Sequence, residues 1–333
     1  HATNFSISSS TTARITLTAD DTLTVTSDGT IEYTGWPAVA ANGVTFGGAT
    51  EVTNAGTITA TTGYNINFDS STNATLVNTG TISTASTSDR PVYAGSSTNT
   101  TITNSGTISS NDDEAIYAYQ SANMTITNNA NSTISAVDDK AIHAWDSDDL
   151  TINNSGTISA GGDFGIQGDN ADDMTITNSG TISAVDGYAI YARSADDLTI
   201  TNTGTITSGT DPINMQASTG VVTITNSGTI SQTGGGNNDG LSLQEGATLT
   251  NTGTISANRW GLTFSGADIN VVNKGTINGG TYDFMSSTDG YLVTLTNGQG
   301  GNDCVNWYGY LPTNYKIYIA STTSYGKMCN DGS

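Results

Sequence analysis

A five-residue signature, Asn-x-Gly-Thr-Ile, returns about every 24 residues, and this period constrains the fold more than any other feature of the chain. Its leading asparagines are Asn54, Asn78, Asn104, Asn128, Asn154, Asn178, Asn202, Asn226, Asn251, Asn273 and Asn297, spaced 22 to 26 residues apart. Ser27-Asp28-Gly29-Thr30-Ile31 is a degenerate copy one step earlier. Asn128 carries a two-residue insertion before Thr133-Ile134, and Asn297 is followed by Gly298 without the Thr-Ile. Fixed periods of this size belong to stacked arrays, whereas 333 residues without a repeat would suggest two globular domains.

Each repeat holds three short β-like runs. The first alternates strictly, as in Leu150-Thr151-Ile152-Asn153-Asn154 and Met174-Thr175-Ile176-Thr177-Asn178. Period two puts the apolar residues and the Asn on one face and mostly Thr on the other. The second run is Gly-Thr-Ile-Ser or Gly-Thr-Ile-Thr, and the third is typified by Ala115-Ile116-Tyr117-Ala118. Gly, Asp, Asn and Ser between the runs make tight turns. Three strands per repeat predict an all-β parallel β-helix of about 12 coils. At the usual strand spacing it would be a rod roughly 55–60 Å long. Stacking builds inner ladders from residues such as Ile152, Ile176 and Ile200, or Ile158, Ile182 and Ile206. The Asn column (Asn104, Asn128, Asn154, Asn178, Asn202, Asn226) is expected at a corner, its amides bonded from coil to coil. The Gly two residues later is expected to supply a turn with φ > 0.

The repeat region is read as 31–297. Residues 1–30 alternate without the full signature and look like an N-terminal cap or strand-like extension. Residues 298–333 leave the period and hold Trp307, Tyr308, Tyr310, Tyr315, Tyr318 and Tyr325 between Cys304 and Cys329. A compact aromatic cap there would cover the last edge strand. A Cys304–Cys329 disulfide is expected, which implies an oxidising compartment. No CxxC or clustered His points to a metal. The chain opens His1-Ala2-Thr3 without Met, as after processing.

Thirty acidic residues against eight basic give a net charge of −22, which argues against nucleic acid or an anionic membrane as partner. No apolar run reaches the ~18 residues of a membrane-spanning helix.

The Thr-Ile-Thr-Asn-x-Gly-Thr-Ile coils cover most of residues 50–297. With the run Gly309-Tyr310-Leu311-Pro312-Thr313-Asn314-Tyr315-Lys316-Ile317 and Ser324-Tyr325-Gly326, the chain resembles the passenger region of bacterial autotransporter-like surface proteins. The resemblance implies export, display at the cell surface and often adhesion, and it carries over no catalytic residue. The membrane barrel of that family has no counterpart in this sequence.

Several outward columns are candidate sites. Tyr93, Tyr117, His143 and Tyr191, interrupted by Gln167, run beside Tyr119, Trp145 and Arg193. Such a face can stack on sugars or anchor a protein, or it can simply stabilise the sheet. Acidic pairs (Asp148-Asp149, Asp172-Asp173, Asp196-Asp197, and Asp112-Asp113-Glu114, Asp138-Asp139) would repel when stacked, so Ca²⁺ on these turns is the one cofactor to consider beside a solvated acidic face. Paired Thr columns, Thr175/Thr177 and Thr199/Thr201 among them, are similar to those of ice-binding solenoids. A polysaccharide-active enzyme would have to use Asp139, Lys140, His143, Trp145, Tyr191 and Arg193, a cluster without a defined catalytic geometry. Asn4, Asn73, Asn99, Asn123, Asn131 and Asn153 begin glycan-acceptor tripeptides. Uniform coils favour a non-enzymatic, extracellular structural or adhesive rod. Its expected partners are other copies end to end, or a host-cell, polysaccharide or neighbouring-cell surface.

Overall fold

The computed structural model describes residues 3–18, 20–34, 38–40, 51–60, 63–84, 90–216, 220–287, 292–299, 304–321 and 324–329. His1 and Ala2 lie outside these. Among the described residues there is no α-helix, and the chain winds as a β-solenoid. Its three parallel sheets have 14, 12 and 14 strands, and as far as Leu292–Asn297 each sheet takes every third strand of the chain in sequence order.

Register holds from coil to coil. On the first sheet Thr151, Ile152 and Asn154 stand opposite Thr175, Ile176 and Asn178. On the second, Ile158 stands opposite Ile182, and on the third Ile142 stands opposite Ile166. All of these isoleucines are fully buried. Three inward columns of branched aliphatics thus meet along one axis, so a chain only 35% hydrophobic still has a closed core from end to end.

The Asn column sits where the first strand of each coil turns into the second. Asn178 donates to Oδ1 of Asn202 at 2.8 Å, to its own Gly180 carbonyl at 3.2 Å and to Thr205 in the next coil at 3.1 Å. The same bond joins every consecutive pair from Asn54 to Asn297. Each buried amide is therefore satisfied, which the interior requires.

The glycine after it has a different cause from the one expected. Positive φ among glycines occurs at Gly63, Gly236, Gly246 and Gly309, not in this column. A Cβ at Gly180 would instead lie 2.1 Å from the carbonyl oxygen of Gly156 in the preceding coil. Close stacking of turn on turn excludes a side chain there, whatever the backbone dihedral. Left-handed backbone occurs one turn away, at Asn73, Asn99, Asn123, Asp149, Asp173 and Asp197, with φ between 53° and 59°. Asn and Asp tolerate that conformation. The second acids of the Asp148-Asp149, Asp172-Asp173 and Asp196-Asp197 pairs therefore have a backbone reason to be there.

Residues 4–16 already place one strand in each sheet. At the other end, Val305–Gly309 extends the third sheet and Asn314–Ile317 the first. Met328–Cys329 closes the third sheet and is tied by the Cys304–Cys329 disulfide. The second sheet stops at Thr276–Gly279. There Gln299 takes the place of a further strand: its Oε1 accepts from the Ile277 amide and its Nε2 donates to the Ile277 carbonyl. Trp307 stacks on Phe284 inside the cap.

Candidate functional site

The outer face of the third sheet between Tyr64 and Arg193 differs from the rest of the rod. Elsewhere the outward positions are mostly Thr and Ser. Here the side chains that alternate outward are aromatic or charged, and register brings them into columns: Tyr93, Tyr117, His143, Gln167 and Tyr191 in one, and Tyr119, Trp145, Asp169 and Arg193 in the next.

The rings pack along the first column. Tyr64 stacks on Tyr93 at 4.3 Å, and Tyr117 lies 5.8 Å from Tyr93 and 5.0 Å from His143. His143 meets Trp145 edge-on at 6.0 Å. Farther along, Phe164, Tyr188 and Tyr191 make a second cluster. Under the rings runs a chain of alternating charge. Arg90 reaches Asp113 at 3.0 Å and Glu114 at 2.6 Å, with its guanidinium 4.7 Å above the Tyr117 ring. His143 donates from Nδ1 to Glu114 at 2.8 Å and from Nε2 to Asp169 at 3.2 Å. Arg193 then bonds Asp169 at 2.7 Å. Lys140 bridges Asp139 and Asp163.

A carboxylate on each ring nitrogen favours the imidazolium form of His143. Burial disfavours its charge, but hydrogen bonds to Asp169 and Glu114 outweigh this and raise its pKa. Burial likewise acts against the charge on Glu114 and Asp169, and the contacts with His143 and the arginines hold both below the usual carboxylate range. Asp113 shows the opposite: burial first, then the adjacent Glu114, push it up to about 7.

Of the seven residues read as an exposed binding face, Trp145 and Arg193 are exposed, Tyr93, Tyr117 and Tyr119 are half-buried, and His143 and Tyr191 are buried. Burial follows from the packing of ring on ring and from the ion pairs. Asp139 and Lys140 pair, His143 and Arg193 are joined through Asp169, and Trp145 packs on the His143 ring, while Tyr191 stands apart with Gln216 as its hydrogen-bond partner. The connecting residues Arg90, Asp169 and, as a partner of His143, Glu114 were not singled out in the sequence. Their signal was present, because basic and acidic residues alternate at one-coil spacing once the repeats are aligned.

Carboxylate oxygens of Asp113, Glu114 and Asp139 come within 4.8 Å of one another. Arg90, Lys140 and His143 already counter that charge. The exposed turn column Asp149, Asp173 and Asp197 lies alongside Thr151, Thr175 and Thr199, and partial desolvation together with its like-charged neighbours raises Asp173. On the first sheet Thr101, Thr125, Thr151, Thr175, Thr199, Thr223 and Thr248 stand in one register column, and Asn153 interrupts the parallel one.

The family model of the BigA third pectate lyase-like domain matches residues 6–252. No curated protein and no solved structure matches the chain. The matched span includes the whole third-sheet strip and ends before the C-terminal cap.

Proposed function

The chain belongs to the family of the BigA third pectate lyase-like domain, and from that premise we propose that it is a β-helical domain of a bacterial surface protein, acting outside the cell as a structural and adhesive rod and not as an enzyme. The observation that carries this reading is the third-sheet strip, a band of rings and balanced charges on a rod that is otherwise acidic and Thr-covered. Trp145 and Arg193 offer the outside a flat apolar ring and a cation two coils apart. That combination suits a sugar or an aromatic-rich protein surface. The Cys304–Cys329 bridge supports an oxidising compartment.

A catalytic role is disfavoured by the state of the titratable groups. Both ring nitrogens of His143 are engaged by carboxylates, and Glu114 and Asp169 are engaged by His143 and the arginines. General acid–base work needs a group free to exchange its proton with substrate.

The test is adhesion of purified rod to cells and to immobilised glycans. Trp145→Ala and Arg193→Ala should each weaken retention several-fold, the first without changing the melting temperature and the second with only a small decrease. Unchanged retention in both variants would remove the strip from the reading. Turnover of an extracellular polysaccharide, lost in His143→Ala, would replace the rod by an enzyme. The unbroken Thr column supports a second reading, ice binding, which requires thermal hysteresis that disappears in Thr175→Tyr.

A further inference from the structure

The two ends of the first sheet carry the same code. Its first strand is Asn4-Phe5-Ser6-Ile7 and its last is Asn314-Tyr315-Lys316-Ile317. In the register of the sheet, Phe5 and Tyr315 occupy the inward aliphatic column, opposite Leu23 and Leu295. Ile7 and Ile317 occupy the column that holds Asn from Asn54 to Asn297, reached through Val25 and Asn297. Both terminal coils thus replace the buried amide with isoleucine and the aliphatic with an aromatic ring. A solenoid end that faces water permanently has reason to become polar. Here Phe5 and Ile7 are only half-buried, and Ile317 is 53% exposed.

The C-terminal end is also more apolar and less acidic than the rest of the chain. Among the described residues, seven of the eleven exposed large hydrophobics fall between Tyr308 and Tyr325. Residues 304–329 contain Lys316 and Lys327 and no acid, in a chain of net charge −22. At the opposite end Asp20, Asp28 and Glu32 are exposed. Neither outer edge, that of Asn4–Ile7 or that of Asn314–Ile317, has a strand partner among the described residues. Such edges are templates for pairing.

We propose that the chain associates head to tail, with Asn314–Ile317 of one copy pairing in parallel with Asn4–Ile7 of the next, so that Phe5 covers Tyr315 and Ile7 covers Ile317. Alternation and polarity match along all four positions, and Lys316 is set opposite the outward Ser6 on the side of the acidic N-terminal coil. The first sheet carries the joint, since Gln299 already closes the second. Because the two surfaces differ, the contact does not close on itself and propagates as a filament. It relies on the ends of the solenoid and is independent of the third-sheet strip.

Sedimentation velocity and electron microscopy of the intact chain over rising concentration test this. Wild type should form rods in multiples of roughly 65–70 Å, the height of the fourteen strands of the first sheet with one spacing across each joint. Ile317→Asp and Phe5→Asp each block one end, and both positions are open enough for the fold to survive, which the melting temperature verifies. Each variant alone should stay monomeric, while an equimolar mixture should give a species that stops at two copies, through the one good end left on each. Lys316→Glu, fully on the surface, should weaken assembly at least tenfold in concentration. A wild type that stays monomeric overturns the proposal, as does a mixture that stays monomeric. Association that survives Phe5→Asp alone would mean that the apolar end meets itself, and the head-to-tail contact falls.

Discussion

His143 stands buried between Tyr117 and Gln167 with a carboxylate against each ring nitrogen, and this makes it the residue whose loss should be felt most on the outer face. Removing it leaves Glu114 and Asp169, each less than 5% exposed, facing each other without the cation between them. Breaking a buried pair by deleting one member typically costs about 3–5 kcal/mol. His143→Ala should therefore lower stability to denaturant by about 3 kcal/mol, whereas Arg193→Ala, at an exposed side chain, should cost well under half of that. A folded-state pKa raised above the ordinary 6.5 means that the stabilisation from His143 is complete below that value and is lost as pH rises through the folded one. Asp113, raised from 3.8 to about 7, acts in the same direction, because between those values the folded chain holds a proton that the unfolded chain has released. Glu114 and Asp169 are lowered, so their stabilisation is lost only as pH falls through their depressed values. The melting temperature should peak in mildly acidic solution, decline through and above neutrality, and decline again in strong acid. In His143→Ala the decline above neutrality should be shallower, which a melting series from pH 4 to 9 would check.

The turn between the first and second strands of a coil is the element in which sequence and structure agree on the residue and differ on the reason. The expected left-handed glycine is a glycine without room: Gly180→Ala drives a Cβ into the backbone of the preceding coil. Overpacking of this kind costs roughly 1–3 kcal/mol. Gly235, with nothing within 4 Å of an added Cβ, makes the matched control, and Gly235→Ala should be neutral or stabilising by up to about 1 kcal/mol. Equal effects at the two sites would show that stacking is not what selects glycine. The three strands, their inward isoleucines and the Asn column were legible because a period of about 24 residues aligns them without knowledge of any contact. Contacts between coils were not legible to the same degree. Arg90, Glu114, His143, Asp169 and Arg193 are 24 to 29 residues apart in successive pairs; the step from Glu114 to His143 crosses the insertion after Asn128, and that from His143 to Asp169 runs diagonally past the register partner Gln167. Exposure was misjudged for the same reason: an outward position on a strand is open only if its neighbours above and below are small, and those of His143 are Tyr117 and Gln167.

As a whole the molecule is a rod in which each coil touches only its neighbours, so damage should stay local and the ends should be the first to open. The Cys304–Cys329 bridge, 25 residues apart in sequence, contributes about 3 kcal/mol to the cap in a chain-entropy account. Its reduction should speed amide exchange in residues 305–329 and in the last coils, and leave the coils around Ile176 protected. Uniform loosening along the rod would contradict this quasi-one-dimensional behaviour. The asparagine column adds a direction to this arrangement. Every amide from Asn54 onward gives its hydrogen toward the C-terminal end and receives from the N-terminal side, so the eleven side chains form one polar thread. Reversing a single amide would set oxygen against oxygen on one side and hydrogen against hydrogen on the other, so the thread can change its sense only as a unit. A chain that winds from its N-terminus always presents a dangling donor, and each arriving coil supplies the acceptor that silences it. Winding from the other end would present the opposite demand. The rod therefore has a built-in arrow, one that suits a polypeptide delivered to its place of folding one end first.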